Sequence, residues 1–498
     1  METNIPKERL WSWEDLERTI YAHYQDPNLD LVRQAYDFAK TAHGEQRRYT
    51  GAPYLVHPIA TAVRLAEMEL PLNVIAAGLL HDVPEDTSAT LEDVARVFGE
   101  DIANMVQGVT KLGKVKYRGI ERYAENLRKM FLAMAEDVRV VFIKFADRLH
   151  NAETLYARPV QKRARIAEEV LQIYAPIASR LGMGDMKGRL EDAAFEYAEP
   201  GAYKEAKELL DKTVMLREGD LAKTIQEAKR LLESAGIHAI DVMGRKKFLY
   251  SFWRKLSRYH QDVNKIYDLV AIRIIVHDIA DCYAVLGVLH AHWPPLKGRI
   301  KDYIAQPKPN GYQSLHTTVF DETCGIVEFQ IRTKEMHDHA EYGIAAHWHY
   351  KANGDQKPRK TMPWIDELAH IQKEMAAGQD FLQRLEEVKL DMFQDRIFVL
   401  TPEGDVIDLP EGSTPIDFAY AIHTEIGNAC VATKVNDQTV PLNTELKSGD
   451  MCTIITNKSR RHPNPEWLEF VKTSQARNKI RSATKSKVKQ WIDNMMKK

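Results

Sequence analysis

Four titratable residues stand at the end of an apolar run in the stretch GLLHDVPEDT, residues 78–87. His81 and Asp82 directly follow the run, and Glu85 and Asp86 come shortly after them. Such groups are costly beside a buried segment unless a partner compensates them. A divalent metal ion is a suitable partner, because imidazole and carboxylate are its usual ligands. The stretch therefore indicates a candidate metal centre.

Two other segments offer ligands for the same centre. His57 precedes a proline, which places it at a helix entrance. In VRVVFIKFADRLHNAET, steps of four and three put Asp147, Asn151 and Thr154 on one helix face. Two His and two Asp from three helices predict an Mn²⁺ or Mg²⁺ site, with the two acids after it left to orient or deprotonate a bound water. An HD dipeptide is more often a helix cap or surface pair, so spacing alone leaves both interpretations open.

A second constellation lies between residues 244 and 332. Cations cluster in GRKKFLYSFWRKL around a strand-to-helix transition, which suits a nucleoside triphosphate. Asp268 opens an apolar strand, and Glu328 lies on one face of another with Gln330 and Arg332. Two carboxylates from different strands beside many cations fit Mg²⁺-assisted phosphoryl transfer better than a structural salt bridge. Tyr312, in the basic loop 297–317, offers a ring for base stacking; the alternative is a solvated basic loop around a core tyrosine.

Three structured regions of the chain must position these residues. Apolar spacings of three and four predict helices throughout residues 1–200. Strand-rich segments alternate with helices up to residue 350, and short strands separated by turns return from residue 395, as in a small β-grasp fold. The predicted divisions are a helical domain at 1–200, an α/β domain at 201–350, a linker with helix at 351–394, a β-grasp domain at 395–457 and a basic helical tail at 458–498.

Composition indicates the cellular compartment of the protein and the kind of partner that it could bind. The 498 residues are 44% hydrophobic, and the four cysteines form no CxxC pair, which favours a reducing compartment and argues against a thiolate zinc site. No signal-like core and no membrane-length apolar run is found, so we expect a cytoplasmic protein with no membrane partner. Residues 458–498 carry a net charge of +9 in a chain whose total is −2. A basic end on an acidic body suggests a polyanion such as RNA, although a solvated basic helix explains it equally well.

The motifs RRYTGAPYLVHP, LLHDVPEDT and KFADRLHN, in this order, resemble the HD hydrolase domain of the RelA/SpoT homologues, which make and degrade the alarmone (p)ppGpp. The resemblance implies manganese-dependent hydrolysis of the 3′-pyrophosphate by an all-α domain. Pro84 stands where the family commonly has Val, a change that we expect to be tolerated. The implied residues are the Mn²⁺ ligands His57, His81, Asp82 and Asp147, the catalytic pair Glu85 and Asp86, and the nucleotide contacts Arg48, Asn151 and Thr154.

The segments YDLVAIRII, KPNGYQSLHT and VEFQIRT resemble the synthetase domain of the same family. The resemblance implies transfer of pyrophosphate from ATP to the 3′-hydroxyl of GDP or GTP, with release of AMP. The motif RIKD, residues 299–302, matches the basic form found in bifunctional members rather than the acidic ExDD form of members with a dead hydrolase. The implied residues are the Mg²⁺ ligands Asp268 and Glu328, the latter also helping to activate the acceptor, and the nucleotide-binding residues Arg245, Lys247, Lys255, Arg299, Lys301, Lys308, Asn310, Tyr312 and His316, with Tyr312 stacked on guanine.

The segment from residue 395 resembles the TGS domain of the family. His423, on its predicted helix, matches a position that contacts the 3′ end of uncharged tRNA, although a lone helical His is more often simply packed. The zinc-finger-like and ACT domains that follow in the family are not in the sequence, which counts against ribosome-dependent activation.

The run EMHDHAEYGIAAHWHYK, residues 335–351, contains four histidines. Residues two apart on a helix diverge by about 200°, so neither HxH pair can share a metal there. We predict that His337, His339, His347 and His349 serve helix packing and capping rather than zinc binding.

The sequence thus predicts a bifunctional (p)ppGpp synthetase and hydrolase that uses ATP, GDP or GTP and (p)ppGpp, with uncharged tRNA and the ribosome as further candidate partners. One alternative is a synthetase with a silent HD domain, and the intact hydrolase residues argue against it. Another is a catalytically dead sensor of tRNA or ribosomes, and the intact synthetase residues argue against that.

Overall fold

The computed structural model divides into two compact units, Met1–Glu374 and Met375–Lys498. The residues that it describes are 8–113, 129–130, 132–134, 136–215, 218–245, 247–259, 261–263, 266, 271–308, 310–346, 396–447, 449–457 and 462–483.

The first unit begins with a helical domain built around three apolar helices. Val56–Glu67 is buried along nearly its whole length, and Leu72–Leu80 and Arg139–Glu153 pack against it. Gly78 permits close packing, because a Cβ there would come within 2.4 Å of a Leu65 methyl carbon. These three helices carry the candidate metal ligands into the core. In chain order the described helices of this region are α1 (Trp13–His23), α2 (Asp30–His43), α3 (Val56–Glu67), α4 (Leu72–Leu80), α5 (Val83–Asp86), α6 (Leu91–Phe98), α7 (Glu100–Gly113), α8 (Arg139–Glu153), a 3₁₀ turn (Leu155–Ala157), α9 (Val160–Glu169), a π-helical turn (Val170–Tyr174), α10 (Ala175–Arg180) and α11 (Gly184–Ala198).

A mixed sheet organises the next part of the first unit. Its strands are β1 (Asp241–Gly244), β2 (Ala271–Val276), β3 (Lys301–Asp302), β4 (Leu315–Asp321) and β5 (Gly325–Thr333), in the order β1-β2-β5-β4-β3. Among the neighbouring strands that the structure describes, β2 and β5 pair in parallel and the others pair antiparallel. The helices are α12 (Pro200–Met215), α13 (Glu218–Ser234), α14 (Leu249–Arg258), α15 (Ile279–His292), α16 (Lys334–Tyr342) and a 3₁₀ turn (Gly343–Ala345).

Side-chain alternation gives this sheet two distinct faces. On β5, Val327, Phe329 and Ile331 join a hydrophobic core with residues of α13 and α15. Glu328 and Gln330 therefore project from the opposite face. Directly paired residues share a face, so register places Lys301, His316, Gln330 and Arg273 in one row across β3, β4, β5 and β2. One face of the sheet is thus apolar and the other is rich in polar and charged groups.

The second unit is a small α/β fold. Its strands are β6 (Arg396–Leu400), β7 (Val406–Pro410), β8 (Cys430–Val435), β9 (Gln438–Val440) and β10 (Cys452–Thr456), its helices are α17 (Pro415–Ile422) and α18 (Thr424–Ala429), and a 3₁₀ turn spans Pro465–Glu469. The strands form a β6-β7 pair and a β10-β8-β9 sheet. Part of the predicted basic tail belongs to this fold, since Trp467, Val471 and Ile480 pack into a core with Tyr420.

The fold class predicted from sequence is confirmed: an all-helical domain is followed by a mixed-sheet α/β domain and by a small domain with two short sheets. The prediction that His423 lies on a helix is wrong, because His423 has an extended backbone and separates α17 from α18. Asp268, His347 and His349, the segment 351–395 and the tail residues 458–461 and 484–498 lie outside the described residues. Within the described ranges, no helix has the length and apolar character needed to cross a membrane.

Candidate active sites

Three helices bring two histidines and two aspartates together in the helical domain. His57, near the start of α3, His81, at the end of α4, and Asp147, in α8, are buried and offer ligand atoms within 4.8 Å of one another. His57 Nε2 lies 3.3 Å from Asp147 Oδ1 and 3.4 Å from Asp82 Oδ2, and His81 Nε2 lies 3.2 Å from Asp82 Oδ1. Three of the four residues predicted as metal ligands thus surround one point, and the fourth, Asp82, lies beside both histidines.

The donor set fits a divalent cation. His81 Nδ1 lies 2.7 Å from the carbonyl oxygen of Gly78 and donates to it, so the neutral ring would present the lone pair of Nε2 to a metal. This Nε2 is buried and has no hydrogen-bond partner among the described residues. An imidazole lone pair facing carboxylate oxygens is repulsive unless a cation lies between them. The residues present therefore support binding of a divalent metal.

Charges within the cluster shift its titration. Burial opposes ionisation of Asp82, but His81 and His57 outweigh it and hold the pKa of that carboxyl below its usual range. Burial also opposes ionisation of Asp147, whose pKa is likewise lowered by Lys144 and His57. Both carboxylates are thus ionised at neutral pH, as metal binding requires.

Two side chains that the sequence analysis missed support the carboxylates. Lys144 Nζ lies 2.8 Å from Asp147 Oδ2, so this oxygen is held while Oδ1 faces the histidines. The Tyr54 hydroxyl lies 3.0 Å from Asp82 Oδ2 and also contacts the Asp86 carboxylate. Signals for both were present, because Lys144 stands three residues before Asp147 on one helix and Tyr54 lies in the motif PYLVHP.

The other predicted hydrolase residues line the same region. Glu85 and Asp86 are exposed on the short helix α5, directly after Asp82. Asn151 donates a hydrogen bond to Asp147 Oδ1. Arg48 Nη2 donates to Thr154 Oγ1 at 3.1 Å, which joins two of the three predicted nucleotide contacts.

A second polar cluster lies on the open face of the α/β sheet. Gln330 Nε2 donates to Glu328 Oε1 at 2.7 Å, and His316 Nδ1 lies 3.5 Å from the same oxygen. His316 Nε2 is 2.7 Å from the Tyr312 hydroxyl. Glu328, His316 and Tyr312 therefore form one connected group, and Asn310 Oδ1 shapes the adjoining turn by accepting from the Tyr312 amide at 3.3 Å.

Positive charge surrounds this group. Burial, followed by the charges of Lys308, Arg245 and others, holds the pKa of His316 well below its ordinary value. Burial and Arg332 lower the pKa of Arg273 to about 10. Such a concentration of cations on one face suits a polyphosphate.

The remaining predicted cations are located by their contacts or by the elements that carry them. Lys308 Nζ lies 4.7 Å from the ring centroid of Tyr303 and 5.0 Å from that of Tyr312. Arg245 directly follows β1, and its amide donates to the carbonyl of Ala271, which is paired with Glu328. The others are placed by their elements: Lys247 in the loop before α14, Lys255 within α14, Arg299 before β3 and Lys301 at its first position.

Two of the predicted histidines, His339 and His423, make packing or capping contacts in the described structure. A Cβ at Gly311, whose φ is +78°, would come within 2.6 Å of His339 Cε1, so this ring packs against the loop that carries Tyr312. His423 Nδ1 accepts a hydrogen bond from the Glu425 amide at 3.3 Å and caps α18, instead of lying within a helix.

Family comparisons match three regions: an HD domain at residues 35–184, a "Region found in RelA / SpoT proteins" at 244–355 and a TGS domain at 397–456. The chain is 46% identical over 473 residues to a guanosine-3′,5′-bis(diphosphate) 3′-pyrophosphohydrolase of Aquifex aeolicus, covering 95% of this chain and 67% of that protein. It is 44% identical to a GTP pyrophosphokinase of Myxococcus xanthus, over 94% of this chain and 62% of that protein. It is also 44% identical to the bifunctional (p)ppGpp synthase/hydrolase SpoT of Escherichia coli strain K12, over 96% of this chain and 68% of that protein. The chain spans about two thirds of the length of these relatives.

Proposed function

Because this chain belongs to the RelA/SpoT family, we propose that it both synthesises and hydrolyses (p)ppGpp. The observation that carries the proposal is the presence of two separate polar sites on different parts of the first unit. One has paired imidazole and carboxylate donors around a single point, and the other has a carboxylate on a cation-rich sheet face. A site suited to metal-assisted hydrolysis and a site suited to polyphosphate binding therefore lie in different parts of the first unit.

For hydrolysis, His57, His81, Asp82 and Asp147 would hold a divalent metal, which would supply Lewis acidity to lower the pKa of a water nucleophile. Glu85 and Asp86, exposed beside these residues, orient the attacking water and accept its proton as its oxygen bonds to the phosphorus attached to the 3′-oxygen. Arg48, Asn151 and Thr154 hold the nucleotide. The bond that breaks joins the 3′-oxygen to the pyrophosphate, which leaves GDP or GTP.

For synthesis, Arg245, Lys247 and Lys255 hold the phosphates of ATP against the sheet, with Arg299, Lys301 and Lys308 neutralising charge around the acceptor. Tyr312 stacks on guanine, while Asn310 and His316 complete the acceptor site. Glu328 and Asp268 would hold a divalent metal, which would neutralise charge on the ATP phosphates. Glu328 also helps to remove the proton of the acceptor 3′-hydroxyl as that oxygen attacks the β-phosphorus of ATP. The bond to the α-phosphate breaks and AMP leaves.

The metals of the two sites differ by their donors. Mixed imidazole and carboxylate ligands in the helical domain suit Mn²⁺, and all-oxygen ligands beside ATP suit Mg²⁺. The divisions that we propose remain residues 1–200 for the hydrolase, 201–350 for the synthetase, 351–394 for the linker, 395–457 for the TGS domain and 458–498 for the basic tail.

His423 is proposed as a contact for uncharged tRNA. Its Nδ1 caps α18, so its exposed side offers Nε2 to a partner. We also propose regulation by tRNA or the ribosome, from the family resemblance and the basic tail, and a cytoplasmic location, from the scattered cysteines that favour a reducing compartment.

One assay of the purified chain tests the proposal. We expect AMP and a 3′-pyrophosphorylated nucleotide from ATP plus GDP or GTP with Mg²⁺, and pyrophosphate from ppGpp with Mn²⁺, with products resolved by chromatography. Synthesis without hydrolysis favours a silent HD domain, and neither product favours a catalytically dead sensor.

A further inference from the structure

A histidine that is not a predicted ligand lies directly behind His57. His150 Nδ1 is 2.9 Å from His57 Nδ1, the rings stack with centroids 5.1 Å apart, and both side chains are 2% exposed. Two ring nitrogens at this distance require one donor and one acceptor. The pair is therefore sensitive to which tautomer each ring adopts.

A metal bound at His57 would set the direction of this hydrogen bond. Its Nε2 faces Asp82 and Asp147, the side on which a metal would bind. A neutral imidazole that binds metal through Nε2 carries its proton on Nδ1. His57 then donates and His150 Nδ1 accepts, which leaves the proton of His150 on Nε2.

A buried carboxylate lies beside the other nitrogen of His150. His150 Nε2 lies 3.4 Å from Glu8 Oε1, and the Glu8 side chain is 3% exposed. Arg48 Nε lies 3.3 Å from the same oxygen, and the Thr50 hydroxyl donates a hydrogen bond to the other carboxylate oxygen. Glu8 is thus within ion-pair distance of His150, which in turn is within hydrogen-bond distance of His57.

We propose that Glu8 and His150 are positioning residues that hold His57 in its metal-binding tautomer and orientation. The proposal rests on the metal centre of the proposed function and adds an outer shell to it. Outer partners of this kind commonly change metal affinity by about 10–100-fold when removed. Because Glu8 also contacts Arg48, the same carboxylate connects the nucleotide side of the pocket to the metal side.

The test measures metal affinity rather than turnover. Titration calorimetry with Mn²⁺, and the visible absorption of Co²⁺ bound in its place, are compared between wild-type protein and variants. We expect His150→Leu to weaken Mn²⁺ binding by about 10–100-fold and to alter the Co²⁺ spectrum. His150→Asn keeps an acceptor near Nδ1 and should recover most of the affinity. Glu8→Ala should weaken binding several-fold.

Glu153→Ala is the matched control, because Glu153 pairs with Arg64 and with no histidine in the described structure. Retained circular dichroism and synthetase activity show that each variant is folded. If His150→Leu binds Mn²⁺ with wild-type affinity, the positioning role of His150 is wrong. If His150→Leu and His150→Asn lose equal Mn²⁺ affinity, His150 contributes only packing, which also overturns the proposal. If wild-type protein has no Mn²⁺ site that Asp147→Ala removes, it is the proposed metal centre that fails.

Discussion

The Tyr54 hydroxyl connects a proposed metal ligand of the hydrolase site to a residue proposed to orient the attacking water. The Tyr54 hydroxyl contacts both Asp82 and Asp86, so it restrains a proposed ligand and a proposed base together. We expect Tyr54→Phe to lower the rate of ppGpp hydrolysis by about tenfold or more, because hydrogen bonds to charged groups contribute about 1.5–3 kcal/mol. Synthesis should be unchanged.

Tyr24→Phe is the control for this prediction, since the Tyr24 hydroxyl donates to the backbone of Leu70 in the same domain. Steady-state rates of pyrophosphate release give the comparison. A wild-type rate in Tyr54→Phe would remove Tyr54 from the account of hydrolysis.

The ring and the hydroxyl of Tyr312 make separable contributions. The hydroxyl is 2.7 Å from His316 Nε2, whereas stacking on guanine requires only the ring. We expect Tyr312→Ala to weaken GDP binding by roughly 5- to 150-fold, because base stacking contributes about 1–3 kcal/mol, and to spare ATP. Tyr312→Phe should retain most GDP affinity. Calorimetric titration of each nucleotide alone tests this, and equal loss of ATP and GDP affinity would contradict the assignment.

Sequence reasoning found residues that carry motifs and missed those that act through long-range contacts. His57, His81 and Asp147 were identifiable from their helix positions, and the structure brings them together. Glu8 and His150 were not, because their relation spans 142 positions of the chain and appears only when the N-terminal segment packs on α8. Asp268 lies outside the described residues, so its role stays a prediction.

At the scale of elements, helix α11 carries a buried acid whose titration should affect stability. Glu191 is 4% exposed, and burial raises its pKa above the ordinary carboxyl value despite nearby Lys187. The folded chain therefore holds this proton more tightly than the unfolded chain does. Stability consequently falls as pH rises from about the unfolded carboxyl value of 4.5 through the raised pKa.

We accordingly expect Glu191→Gln to raise the melting temperature at pH 8 and to change it less at pH 4. Glu196→Gln, an exposed position on the same helix, should change stability by less than about 0.5 kcal/mol at both pH values. Melting curves followed by circular dichroism provide the comparison. A larger gain at pH 4 than at pH 8 would show that the sign is wrong.

Period-two alternation predicted the two faces of β5, and the structure places Glu328 and Gln330 opposite the core as expected.

The helix break at His423 was not predicted. Asp417 accepts from Thr414 at the start of α17 and from the amides of Lys472 and Thr473, so distant backbone groups help to fix where that helix lies. Local propensity contains no information about such partners.

At the scale of the whole molecule, sequence motifs were sufficient to predict three kinds of fold in order along the chain. The contribution of Trp467, Val471 and Ile480 to the core of the second unit was missed, because their basic surroundings suggested a solvated tail. The charged residues of such a segment indicate the face that it turns to solvent. Its few apolar residues determine how it packs, as they do in this tail.

The central claim is that two active sites in one chain run opposite reactions independently. Asp82→Ala and Glu328→Gln, assayed side by side for Mg²⁺-dependent synthesis and Mn²⁺-dependent hydrolysis, test it most directly, with exposed Glu92→Ala and Glu322→Gln as controls. We predict that Asp82→Ala abolishes release of pyrophosphate from ppGpp and retains synthesis, that Glu328→Gln does the reverse, and that the controls retain both activities. Hydrolysis at the wild-type rate by folded Asp82→Ala, or loss of both activities in each variant, would contradict the claim.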